Sequence, residues 1–180
     1  MNIILIGYRC SGKTVVGKTL AKELGRAFLD TDTLIEENTG RSIEAMISTK
    51  GWEYFRETEK RVAEEVSRRD NLVIATGGGI VMDEQNVKNL KKNGWVVWLK
   101  GKPEVLRERM AKEQGAGRIR PSLTGADPLE EIKEVLSARK PFYEQAGDWV
   151  VDTSSLSIRE AAALIIRNLP KMIASASARK

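Results

Sequence analysis

Gly7-Tyr8-Arg9-Cys10-Ser11-Gly12-Lys13-Thr14 decides how the rest of this chain is read. The stretch follows the pattern G-x-x-x-x-G-K-[ST]. Just before it, Asn2-Ile3-Ile4-Leu5-Ile6 is short, apolar and rich in β-branched residues, which predicts a buried strand. Just after it, Val15 to Leu24 repeats its apolar residues at helical spacing. A strand, a glycine turn and a helix in that order turn the pattern into a mechanism. Gly7 and Gly12 tolerate dihedrals that other residues resist, so backbone N–H groups can curl around a phosphate. The positive end of the helix dipole assists. Lys13 can then reach the terminal phosphates, and the Thr14 hydroxyl can ligate Mg²⁺. The loop implies a nucleoside triphosphate. It does not name the second substrate.

The chain around this loop has 180 residues, 41% hydrophobic and 31% charged, which fits one soluble globular domain with a sizeable core. Its apolar runs are too short to span a bilayer, and the N-terminus enters a strand without a signal-peptide layout. A cytoplasmic protein with no membrane partner is therefore expected. Cys10 is the single cysteine, which excludes an internal disulfide and fits a reducing compartment. There is no histidine. Proton transfer falls to carboxylates and lysine, and any metal is a hard cation on oxygen ligands. The net charge is +5, but aromatic content is only 6% and no stacking platform or basic run is visible. Anionic small substrates explain the positive excess, and no nucleic-acid partner is expected.

Strand and helix signals alternate along the chain, which predicts a parallel sheet covered by helices on both faces. The strands fall at 2–6, 27–29, 72–75, 95–99 and 148–152. The helices fall at 13–24, 32–38, 53–69, 84–92, 103–112, 128–145 and 157–168. Asp83 and Ser157 read as N-caps, and Pro103 suits a first helical turn. Residues 111–127 have no period and carry Gly115, Gly117, Arg118, Arg120 and Gly125. Glycines and arginines between two helices predict an active-site lid. Residues 1–170 read as one domain, followed by a frayed tail over 171–180.

Two further clusters carry chemistry. In Phe28-Leu29-Asp30-Thr31-Asp32, the carboxylates sit two apart where a strand gives way to a helix. On one reading both point off the carboxyl edge of the sheet, where open parallel sheets bind ligands. One would hold Mg²⁺ through water, and the other would accept an alcohol's hydrogen bond and help take its proton. On the other reading Asp32 merely caps the helix and Asp30 is a solvated strand end. The run Thr76-Gly77-Gly78-Gly79 follows a core strand and lets backbone amides approach a ligand. Arg56, Arg120 and Arg139 suit capture of carboxylate or phosphate.

In this order these motifs resemble the shikimate kinase family. The resemblance rests on the phosphate loop, Asp30-Thr31-Asp32 with Ile35-Glu36, Phe55-Arg56-x-x-Glu59, Gly77-Gly78-Gly79, Arg120-Pro121 and Arg139-x-Pro141-x-Tyr143, and it spans residues 1 to about 168. It implies a three-layer α/β/α P-loop kinase of the nucleoside-monophosphate-kinase type. A five-stranded parallel sheet and a lid belong to that fold. It implies ATP- and Mg²⁺-dependent phosphorylation of the shikimate 3-hydroxyl by a monomer, within aromatic amino acid biosynthesis. Catalysis would fall to Asp32, Lys13 and Arg120. Nucleotide would be held by Cys10, Ser11, Gly12, Lys13, Thr14, Val15, Arg109 and Arg120, with the 152–155 loop across the base. Shikimate would lie against Asp32, Arg56, Gly77, Gly78, Gly79 and Arg139, its wall finished by Ile47, Phe55 and Glu59. Thr14 and Asp30 would take the metal. The chain departs from the family at Val15, Trp52 and Ser122, none of which removes a proposed catalytic group. The alternative is another small-molecule P-loop kinase, such as a gluconate kinase, which is not expected to carry both arginine motifs.

Overall fold

The computed structural model describes residues 1–115, 127–171 and 173. Five strands form one parallel sheet: β1 (Asn2–Ile6), β2 (Ala27–Asp30), β3 (Leu72–Ala75), β4 (Gly94–Lys100) and β5 (Trp149–Asp152), in the order β2-β3-β1-β4-β5. The helices are α1 (Lys13–Leu24), α2 (Thr31–Thr39), α3 (Ile43–Ser67), α4 (Glu84–Lys92), α5 (Pro103–Gly115), α6 (Pro128–Ala146) and α7 (Ile158–Arg167). Every predicted strand is present, and so is every predicted helix. The predicted caps also form: Asp83 accepts from Gln85 N and Asn86 N, and Ser157 makes a capping box with Glu160.

Alternation along β1 explains the layering. Ile4 and Ile6 pack on one side with Ile74, Val96, Phe55, Val62 and Tyr143. Ile3 and Leu5 pack on the other with Val16, Leu20, Val97 and Ile165. A strand buried on both faces reads as an unbroken apolar run because neither face meets water. A smaller cluster of Tyr8, Leu106, Met110, Ile132 and Val135 joins the phosphate loop to α5 and α6.

Two boundaries differ from expectation. The expected helix near 53–69 is the second half of α3 (Ile43–Ser67), while the first half, capped by Ser42 and parted from it by Gly51 at φ 82° and ψ 171°, was not expected. That left-handed break splits the helical period and hides the first half. At the lid, residues 111–115 continue α5 and Asp127 is the N-cap of α6. The intervening 116–126, with Arg118, Arg120 and Ser122, lie outside the described residues, as do 172 and 174–180 of the tail. Among the described residues no helix is long and apolar enough to cross a membrane.

Candidate active site

All five strands run the same way, so their carboxyl ends share one edge, and that edge collects the predicted groups. The phosphate loop leaves β1, the central strand, where the strand order switches direction. Gly7 and Gly12 adopt φ 145° and 99°, and Cys10 joins them at 61°. Gly12 is also the N-cap of α1. Lys13 Nζ donates to Gly7 O at 2.8 Å and Tyr8 O at 2.9 Å, so its ammonium is held at the loop it serves. Ser11 is buried, and its Oγ has no hydrogen-bond partner among the described residues. Val15 lies 46% exposed beside the loop.

Asp30 settles which carboxylate caps α2. Its Oδ1 accepts from Asp32 N at 3.1 Å, so Asp30 is the N-cap and Asp32 is a first-turn residue. The other oxygen of Asp30 accepts from Thr14 Oγ1 at 2.8 Å. This oxygen pair suits a hard cation that completes its shell with phosphate oxygens and water. No cluster of three or more acidic, histidine or cysteine ligands forms among the described residues, so a dedicated protein cage is not built.

The glycine run seats a second set of groups. A Cβ on Gly77 would lie 2.7 Å from Asp32 Oδ1 and 2.9 Å from Glu59 Oε1. A Cβ on Gly79 would lie 2.6 and 2.8 Å from the Arg56 guanidinium nitrogens. A side chain at either glycine would therefore displace the groups that approach it. The Gly77 amide is already used, donating to Thr31 Oγ1 at 3.0 Å. The Gly78 carbonyl accepts from Tyr143 Oη at 2.6 Å and Arg139 Nη1 at 3.2 Å. The Cα of Gly78 also faces the phosphate loop, with Gly7 O 3.4 Å from the position of a Cβ.

Arg56 Nη1 donates to Glu59 Oε2 at 2.6 Å. Its guanidinium lies 5.0 Å from the Phe55 ring centroid and 5.6 Å from that of Trp52. Trp52, a departure from the family pattern, thus helps cradle this arginine. Burial pushes the Glu59 carboxyl above its ordinary range, opposed by Arg56. Burial likewise pushes the Tyr143 hydroxyl up to about 12. Tyr143 stacks on Trp98 at 5.5 Å, which locks α6 to β4 and aims Arg139 from one turn earlier.

On the far side of the phosphate loop, Arg109 donates to Thr153 Oγ1 at 3.1 Å and Thr153 O at 2.6 Å. Thr153 Oγ1 lies 3.2 Å from Ser11 O and 3.1 Å from Lys100 O. Arg109 and the 152–155 loop are therefore brought together beside the phosphate grip. Sequence reasoning missed Arg9, Glu131 and Thr31. Arg9 pairs with the buried Glu131 of α6 and donates to Tyr8 Oη at 3.2 Å. A lone arginine inside a phosphate loop and a glutamate in a charged helix carry no local signal of such a pairing.

An anion grip on one side of Gly78 and a guanidinium-and-carboxylate pocket on the other define a P-loop kinase with a small acceptor. The family model described as shikimate kinase matches residues 9–170. A shikimate kinase from Symbiobacterium thermophilum is 43% identical over 169 residues, covering 94% of this chain and 96% of that protein. The structure of a shikimate kinase from Acinetobacter baumannii in complex with shikimate superimposes with a TM-score of 0.85 at 34% identity, covering 99% of this chain and 95% of that one. The shikimate kinase from Bacteroides thetaiotaomicron gives 0.84 at 30% identity, covering 93% and 97%. The chain belongs to the shikimate kinase family.

Proposed function

We propose that this protein transfers the γ-phosphoryl of ATP to the 3-hydroxyl of shikimate. The observation that carries the reading is the acceptor pocket at Gly77–Gly79, where Asp32, Arg56, Glu59 and Arg139 converge against the phosphate loop. Shikimate is a small carboxylate with several hydroxyls. Arg56 and Arg139 grip its carboxylate, and the Gly78 amide donates to it. Asp32 accepts from the reacting hydroxyl and takes its proton as the phosphoryl departs. Lys13 neutralises charge on the transferring group from the loop side, and the loop amides hold the phosphates in line. Arg109 packs against adenine, with the 152–155 loop opposite. Arg120, in the segment after α5 that the sequence reads as a lid of the single 1–170 domain, adds a further cation.

Thr14 and Asp30 would hold Mg²⁺, which supplies charge neutralisation across the phosphates when bound. Both half-sites are built by one chain, which supports a monomer as the working form. The reading also places it in the cytosol, independent of nucleic acid. The test is ADP release with ATP and Mg²⁺ over a panel of shikimate, gluconate and nucleoside monophosphates. Stimulation by shikimate alone is expected. Stimulation by gluconate or a nucleotide without shikimate would overturn the assignment.

A further inference from the structure

A groove of about 400 Å³ opens between α2 and α3, lined by none of the residues assigned above to the active site. Its floor is Met46 and Val62, which are 1% and 3% exposed. Its wall is the Tyr54 ring, with Lys50 Nζ 4.2 Å from the centroid. Its rim carries Arg41 and Arg61, which make no ion pair among the described residues. The one carboxylate lining it, Glu65, is already engaged by Arg69 and, at 3.5 Å, by Asn38 Nδ2. The groove therefore offers three cations around an apolar and aromatic bed. Its volume is that of a small-ligand pocket.

Its placement on α3 matters. At about 100° per residue, the stripe of Tyr54, Thr58, Arg61 and Glu65 lies roughly 160° around the helix from Arg56 and Glu59. The groove also straddles the Gly51 break, with Met46 and Lys50 before it and Tyr54 to Glu65 after it. A Cβ at Gly51 would meet nothing within 4 Å, so the break is not filled by packing. We propose that this groove is a second binding site for a small aromatic carboxylate, and that its occupancy sets the angle of α3 at Gly51 and so the seat of Arg56. The anion is recognised by Arg41 and Arg61, and the ring by Tyr54, Met46 and Val62.

The test uses the full chain with benzoate as probe, read by calorimetry while shikimate and ADP are saturating. Benzoate is expected to bind under those conditions. Binding should weaken about tenfold or more in R41A/R61A, whose turnover without benzoate stays near wild type. Y54A should weaken benzoate while leaving the weak binding of inorganic phosphate unchanged. Loss of benzoate binding once shikimate saturates would reduce it to an active-site mimic and overturn the site. Undiminished binding in R41A/R61A would overturn it as well, and equal binding of phosphate would overturn the aromatic preference. The coupling rests on the shikimate kinase reading and is scored separately. A shift in shikimate KM with benzoate in wild type, absent in R41A/R61A, supports it, and an unchanged KM overturns it.

Discussion

Arg9 of the phosphate loop and Glu131 of α6 form an ion pair across 122 positions of sequence, with side chains only 12% and 3% exposed. The pair ties the phosphate loop to α6. Tyr8 completes the tie, buried against Leu106, Met110, Ile132 and Val135 while its hydroxyl accepts from Arg9. Removing one partner of such a pair deprives the other of its opposite charge in a largely buried setting. We expect Glu131→Ala to cost roughly 3–5 kcal/mol in urea unfolding. The paired change R9M/E131L should recover most of that stability. In either variant the KM for ATP should rise more than the KM for shikimate, because the disturbed backbone is that of the phosphate loop. A larger rise for shikimate would show that the tether serves the acceptor side.

Gly79 sits at φ −102°, a value that any residue accepts, so its side chain is excluded by space alone. The obstacle is the Arg56 guanidinium, the far end of a flexible chain. Gly79→Ala should therefore displace Arg56 with little cost to the fold, within about 1 kcal/mol. Shikimate KM should rise about tenfold, the scale of losing one charge-assisted contact, with ATP KM unchanged. Steady-state kinetics with each substrate varied in turn measures the split.

The metal role proposed for Asp30 can be separated from its capping role. Asn is as good an N-cap as Asp, so Asp30→Asn should leave stability nearly unchanged while removing the charge. The Mg²⁺ needed for half-maximal activity should rise about tenfold or more. Asp30→Ala should show the same Mg²⁺ effect and also lose about 1 kcal/mol of stability from the missing cap. Activity titrated against Mg²⁺, beside thermal unfolding, distinguishes the two variants.

Tyr143 carries a pH signature. Its hydroxyl is pushed up to about 12 by burial, with Arg139 opposing. The folded state thus keeps the proton at pH values where the unfolded chain, near 10, has lost it. Stability from this group is fully present below about pH 10 and is lost as pH rises towards 12. Wild type should lose up to about 1.4 kcal/mol per pH unit in that window, and Tyr143→Phe should lack this component. At neutral pH the same variant should cost about 1 kcal/mol, the hydrogen bond to Gly78 O. Unfolding at about pH 9 and pH 11 compares the slopes.

The local pattern of residues carried far. The phosphate loop, the alternation of strands and helices, the caps at Asp83 and Ser157, and the two arginine motifs are each written in a few consecutive residues. Such signals need no knowledge of what lies across the fold. The first half of α3 was illegible because Gly51 interrupts its period and leaves only a short run before the break.

What only the tertiary structure decided is how distant groups meet. Asp30 caps α2 and accepts from Thr14, while the Asp32 carboxylate lies against Gly77. Gly77 and Gly79 make room for carboxylates and a guanidinium from α2 and α3, where the sequence suggested room for backbone amides. Glu131 anchors Arg9. These pairings depend on all five strands running parallel, which brings their carboxyl ends to one edge. Dihedral preference and hydrophobic period act between neighbours in sequence, so they set elements. Close approach and charge pairing act between neighbours in space, so they set the site.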